Sequence, residues 1–200
     1  MNIAWVLRQG ITLKDASIDP KVMSDIGPIW GTWESWKEFQ TDNVISTNIE
    51  LSQQLVEKAF HAVCNLWVDE QHFEYIGSPK KVHTFKHNIK GHFGPAGKNF
   101  TPANIINLEL ASRAYDLLVV VGFDIYTPHS RTDLAVDGRE VRDSKHRYLM
   151  QLVKIIKKNP NVQYVFADVV PCKNVYKPFK QLENFTVDSN DNIVKFLTQL

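Results

Sequence analysis

The chain reads as a single α/β domain over residues 1–200, a three-layer Rossmann-like arrangement with a mostly parallel sheet, and three runs of residues predict it. Leu117-Leu118-Val119-Val120-Val121-Gly122-Phe123 is seven residues without a charge, ending at Asp124. That is the composition of a strand covered on both faces. Val162-Gln163-Tyr164-Val165-Phe166-Ala167, released at Asp168, and Ile3-Ala4-Trp5-Val6-Leu7, released at Arg8-Gln9-Gly10, have the same character. Helical periodicity lies between the runs, and strands alternating with helices specify crossovers and hence parallel neighbours wrapped on both sides.

Composition narrows the function classes. A chain of 200 residues buries about 70% of its unfolded surface, so neither metal nor disulfide is needed to hold the core. With 23 basic and 22 acidic side chains the net charge is +1, which argues against a general nucleic-acid or anionic-membrane binder. Met1 to Leu7 is too short for a signal peptide or a membrane span, and no later run reaches ~18 apolar residues. Cys64 and Cys172 therefore read as reduced thiols, and the expected location is intracellular, in the cytoplasm, or in the host cytoplasm for a phage-encoded protein.

In order along the chain, Asp19-Pro20 caps and opens a short helix that Gly27-Pro28 ends. Trp30, Trp33 and Trp36 recur every three residues, which predicts one face of a helix and a hydrophobic seam against the sheet or another subunit. Asp42 to Ser46 is a strand candidate, with Thr47-Asn48 as cap for a helix over 49–63, where Leu51, Leu55, Val56, Ala59, Phe60 and Val63 keep the 3.6-residue period. Asn65 to Val68 and Phe73 to Ile76 read as strands, Gly77-Ser78-Pro79 as a turn, and Val82 to Phe85 as an edge strand. Thr101 caps and Pro102 opens a helix whose Ile106, Leu110 and Ala114 face the core. A long connection, Ile125 through Arg142, holds an Asp137-Gly138 hairpin. The helix after Asp143-Ser144 turns Tyr148, Leu149, Leu152, Val153 and Ile156 inward and ends at Asn159-Pro160. A short helix over 192–197 closes the pattern.

Parallel strands gather their carboxyl ends on one rim, where open α/β sheets bind ligands. Asp124 and Asp168 belong on that rim, and Gly122 precedes the first of them. The loop from Gly91 to Thr101, with Gly94, Gly97 and Lys98, arrives at a helix start whose free N–H groups suit an anion. It is not a phosphate loop of the Gly-Lys-Ser/Thr type, because Gly91 is six residues before Gly97 and Asn99 stands where magnesium needs a hydroxyl. Arg131, Arg139 and Arg142 offer anion contacts, and each reads equally well as a solvated loop charge. His129 and His146 are the acid or base candidates, His146 standing in a helix first turn that favours neutral imidazole. His83, His87 and His92 lie close together without a cysteine, which falls short of a zinc pattern.

Thr101 to Tyr126, a helix leading into a strand that ends Gly122-Phe123-Asp124, resembles the central helix and strand of sialyltransferase-like glycosyltransferases. The resemblance covers the C-terminal half and implies a sugar-nucleotide donor, with His146 matching a downstream histidine base. Where those enzymes carry a Gly-Asn-Gly-Pro-Ser type loop, this chain has Arg8-Gln9-Gly10. The whole chain also resembles small uncharacterised proteins of tailed phages, which implies no chemistry. The expectation is a nucleotide-binding Rossmann-like enzyme of the transferase type, with His146 and Asp124 catalytic and Gly94, Gly97, Lys98, Thr101, Gly122, Asp168 and Arg131 on a nucleotide or sugar nucleotide, the cofactor unspecified. The competing expectation is a non-catalytic assembly protein, a virion component or homo-oligomer, that presents Trp30, Trp33 and Trp36 to a partner.

Overall fold

The computed structural model describes residues 1–8, 19–77, 79–85, 102–111, 113, 115–123, 149–168 and 177–199. These form one eight-stranded sheet of β1 (Ile3–Leu7), β2 (Ile29–Thr32), β3 (Asn43–Ser46), β4 (Asn65–Asp69), β5 (Val82–Phe85), β6 (Leu117–Val121), β7 (Gln163–Asp168) and β8 (Phe185–Ser189). The spatial order is β5-β4-β3-β2-β1-β6-β7-β8, and every neighbouring pair is parallel. The α/β class is thus observed.

β1 lies at the centre, between β2 and β6, and Ala4, Trp5, Val6 and Leu7 have no exposed surface. Alternation along each strand sorts the core into two layers. Ala4, Val6, Leu118, Val120, Tyr164 and Phe166 pack under the Pro102–Ala111 helix and the helix over 149–158, through Ile106, Leu110, Leu149, Leu152, Ile155 and Ile156. Trp5, Leu7, Val119, Val121 and Ala167 pack on the opposite face against Met23 of the Pro20–Ile26 helix and Ile193 and Leu197 of the Asn190–Leu197 helix. The reason is handedness. Right-handed crossovers that step outward from β1 to β5 put their helices on one face, and those that return to β6 and continue to β8 use the other.

Several expectations are met. Asp19 accepts a hydrogen bond from the Lys21 N–H, Pro20 is the first helical residue, and the Gly27 N–H closes the helix on the Met23 carbonyl. Asn48 caps the Ile49–Glu57 helix by accepting from the Leu51 N–H at 2.9 Å. Lys154, Lys157 and Lys158 are exposed at the far end of the helix over 149–158. Tyr148, Ala114 and the Asp137-Gly138 hairpin lie outside the described residues.

Four expectations are corrected. Trp30 does not share a helix with Trp33 and Trp36, because it belongs to β2 and only the latter two lie in the Trp33–Glu38 helix. Trp30 is 4% exposed in one layer of the core, against Trp67. Trp33 and Trp36 stack at 5.3 Å on the other face, both edge-on to Phe60. The helix expected over 49–63 stops at Glu57, because Ala59 takes a left-handed conformation (φ 53°) and the chain re-enters a 3-10 turn, Phe60–Ala62. Val63, placed inward by the helical period, is left exposed. Phe73 to Ile76 is not a strand, since Asp69 caps a one-turn helix, Glu70–Phe73, that runs on into turns. The last segment also holds a 3-10 helix, Lys177–Gln181, and an edge strand, β8, that the sequence pattern does not disclose.

No described helix is long and apolar enough to cross a membrane.

Candidate functional site

The strand order defines where the sheet can open. β1 and β6 remain paired to their carboxyl ends, where the Arg8 N–H donates to the Val121 carbonyl at 3.0 Å. Beyond that point the next described helices belong to opposite faces, Pro20–Ile26 after β1 and 149–158 after β6. Chains that leave adjacent strands in opposite directions make a crevice at the carboxyl rim, a topological switch point. Gly122 stands on its edge with φ 80°, a left-handed conformation in which any Cβ is strained. Phe123, 1% exposed, turns back into the core.

β6 and β7 are adjacent and parallel, with Val121 opposite Ala167, so their ends emerge on the same rim. Asp168 is the last residue of β7, paired with Ser189 of β8. Asp124 lies outside the described residues, as do Gly94, Gly97, Lys98, Thr101, His129, Arg131, Arg139, Arg142 and His146. Of the predicted site, the structure therefore brings Gly122 and the backbone of Asp168 to one edge.

Elsewhere the rim is built from strand ends that cap their own helices. Thr32 and Ser35 form a reciprocal capping box, with the Thr32 N–H donating to Ser35 Oγ at 2.8 Å. Asp69 accepts from the Gln71 N–H at 2.9 Å and Ser189 from the Asn192 N–H at 3.3 Å, and just past β3 the cap is Asn48, with Ser46 braced by the Ser52 hydroxyl at 2.8 Å. Such caps satisfy the first-turn donors and hold the strand-to-helix turns in one geometry.

Between two of these turns, at the carboxyl ends of β2 and β3, the structure opens a cleft of about 320 Å³. Thr32 and Ser46 contribute to its wall, Ile45 and Leu51 its apolar part, and Glu34, Thr47, Glu50 and Gln54 its polar mouth. The lining holds two carboxylates and no lysine or arginine. Sequence reasoning treated Thr47 and Asn48 only as a cap. The available signal was the pair of capping segments, Thr32 to Ser35 and Ser46 to Asn48, at two neighbouring strand ends.

On β4 and β5, next to β3, the exposed His83 ring stacks on Trp67 at 4.5 Å and 22°, and the Arg113 guanidinium lies 4.6 Å from the same indole. Arg113 also reaches Glu109 at 3.7 Å, where burial raises the Glu109 carboxyl above its ordinary range and Arg113 opposes that shift. His87 and His92 lie outside the described residues, and among the described residues no three His, Cys, Asp or Glu side chains group as a metal site.

Cys64 is half-buried, and burial, aided by the Asp42 carboxylate, pushes its thiol up to about 12. The thiolate is the reactive form. Cys64 should accordingly be alkylated by iodoacetamide at pH 8 far more slowly in the folded protein than in urea, and equal rates by mass spectrometry would contradict this burial. A scan of protein-family models, a search of curated proteins and a search of solved structures each return no match to this chain.

Proposed function

We propose that this chain binds a nucleotide-type ligand at the carboxyl rim over β1 and β6, as a Rossmann-like enzyme of the transferase kind that takes a sugar nucleotide. One observation carries the reading: the order β5-β4-β3-β2-β1-β6-β7-β8 reverses beside β1, and ligands of open parallel sheets settle at that reversal. Gly122, in the left-handed conformation at the end of β6, is consistent with a close backbone approach there. In this reading Asp124 follows Gly122 into the crevice and accepts a sugar hydroxyl, Asp168 and Arg131 flank it, and the Gly94 to Thr101 loop faces phosphate. His146 is the base.

The competing assembly reading relied on one tryptophan face. Trp30 packs on the side of the sheet opposite to Trp33 and Trp36, so that surface does not exist as a unit.

Calorimetric titration with a panel of nucleoside diphosphates and sugar nucleotides tests the proposal. At least one should bind, and Asp124→Ala should lose that binding while its circular dichroism and melting stay those of the unaltered protein. Absence of binding to the unaltered protein across the panel would sink the reading.

A further inference from the structure

We infer that the cleft at the ends of β2 and β3 is the subsite for an uncharged, polyhydroxylated ring, the ribose or pyranose of the nucleotide-type ligand. This rests on the reading above and adds which part of the ligand lies where. Position is the first argument. Adjacent strands are spaced ~4.8 Å, so β3 stands ~10 Å from β1, a distance that an extended sugar nucleotide can bridge along the rim. The cleft over β2 and β3 and the switch point over β1 and β6 are neighbours on one rim.

Charge is the second argument. Glu34 and Glu50 line the cleft and no cationic side chain does, so a phosphate there would meet like charge at short range. The phosphate must lie elsewhere on the rim. Carboxylates are strong acceptors for hydroxyl donors, and an arrangement of acceptor-only groups beside amide and hydroxyl groups matches the alternating donors and acceptors of a sugar ring.

The polar groups of the cleft divide into committed and uncommitted ones. Thr32 and Ser46 are 6% and 1% exposed, and their hydroxyls are engaged with Ser35, Ser52 and the Asn48 carbonyl. They form a fixed wall. Around them, the side chains of Glu34, Thr47, Glu50 and Gln54 make no hydrogen bond among the described residues. A ligand would find four polar groups not engaged with one another, carried on backbone that the Thr32 and Asn48 caps fix. The half-buried Trp33 and Leu51 give the C–H face of a ring an apolar surface. At about 320 Å³ the space is at the small end of ligand pockets, the scale of one ring rather than a whole nucleotide.

The test compares the unaltered protein with Glu50→Ala and Gln54→Ala, titrating each with the nucleotide that binds best and, separately, with inorganic pyrophosphate. Both substitutions lie on the exposed side of a helix and should leave the melting temperature in place. Nucleotide affinity should fall about tenfold or more in Glu50→Ala, the scale of losing one charge-assisted hydrogen bond, and about fivefold in Gln54→Ala, the scale of a neutral one, while pyrophosphate affinity stays constant. Unchanged nucleotide affinity in both variants would overturn the subsite and leave the switch-point reading intact. Equal losses for nucleotide and pyrophosphate would also overturn it, because the cleft would then act on the phosphate. If the unaltered protein binds neither ligand, both readings fall together.

Discussion

Gly27→Ala is expected to lower the melting temperature by about 10 °C. Gly27 is the junction between the Pro20–Ile26 helix and β2, and a Cβ built there would overlap the Ile3 carbonyl oxygen. That obstacle is backbone at the start of the central strand, so no side-chain rotation relieves it. Either β1 or β2 must shift, and the Trp5 N–H bond to the Pro28 carbonyl, 3.0 Å, sits at the point of strain. Overpacking of this kind costs roughly 3 kcal/mol. Gly77→Ala provides the contrast, because its φ of 84° is strained for alanine but nothing lies within 4 Å of the new methyl, and about 1 kcal/mol is expected. Thermal melts of the two variants decide the matter. If Gly27→Ala melts with the unaltered protein, the close approach of Ile3 to Gly27 is wrong.

Asn184→Ala is expected to cost about 2–4 kcal/mol, and Asn184→Asp more at neutral pH. Asn184 is 6% exposed, and its Nδ2 faces the carbonyls of Ile156, Asn159 and Val162 at 3.2, 3.0 and 2.8 Å. Its own carbonyl accepts from the Tyr164 N–H at 2.9 Å. One amide with two hydrogens thus ties the end of the helix over 149–158 to the starts of β7 and β8. Alanine takes this donor from the buried Val162 carbonyl, while the Ile156 and Asn159 carbonyls keep the N–H groups of Asn159 and Val162. Aspartate adds a negative charge facing three acceptors, so its penalty should be the larger. Urea denaturation would measure both, and an alanine variant within about 0.5 kcal/mol of the unaltered protein would contradict the role given to this amide.

The elements legible in the sequence are those whose burial is uniform. β1, β6 and β7 lie inside the sheet, covered on both faces, and so appear as unbroken apolar runs. β2 has the same surroundings but only four residues, one of them glycine, and Gly31 is there because a Cβ would press on Ser35 Oγ at 2.5 Å and Thr41 Cγ2 at 2.8 Å. Its Trp30 then falls three residues before Trp33, which imitates a helix face. β8 is an edge strand with little full burial, so Phe185-Thr186-Val187-Asp188-Ser189 carries no apolar run to notice. The end of the Ile49–Glu57 helix is hidden for another reason: the left-handed residue that ends it is Ala59, where a glycine would have signalled the stop.

For the site, parallel strands implied that Asp124 and Asp168 would share one rim; β6 and β7 do end side by side, and Asp124 itself lies outside the described residues. The cleft was not legible. Its residues come from two separate segments and are ordinary capping types, and only the pairing of β2 with β3 brings them together.

The central place of β1 also bears on how the chain is made. Its second neighbour, β6, arrives late, as the Asn2 N–H and the Asp116 carboxylate that join them are separated by 114 positions. During vectorial synthesis β1 can pair with β2 at once, yet its other margin stays a raw row of main-chain donors and acceptors until Leu117 to Val121 has left the ribosome. Closing so wide a loop is entropically costly, which makes that late insertion a natural slow step of folding. The innermost strand is therefore the one whose surroundings are completed only after much of the chain exists.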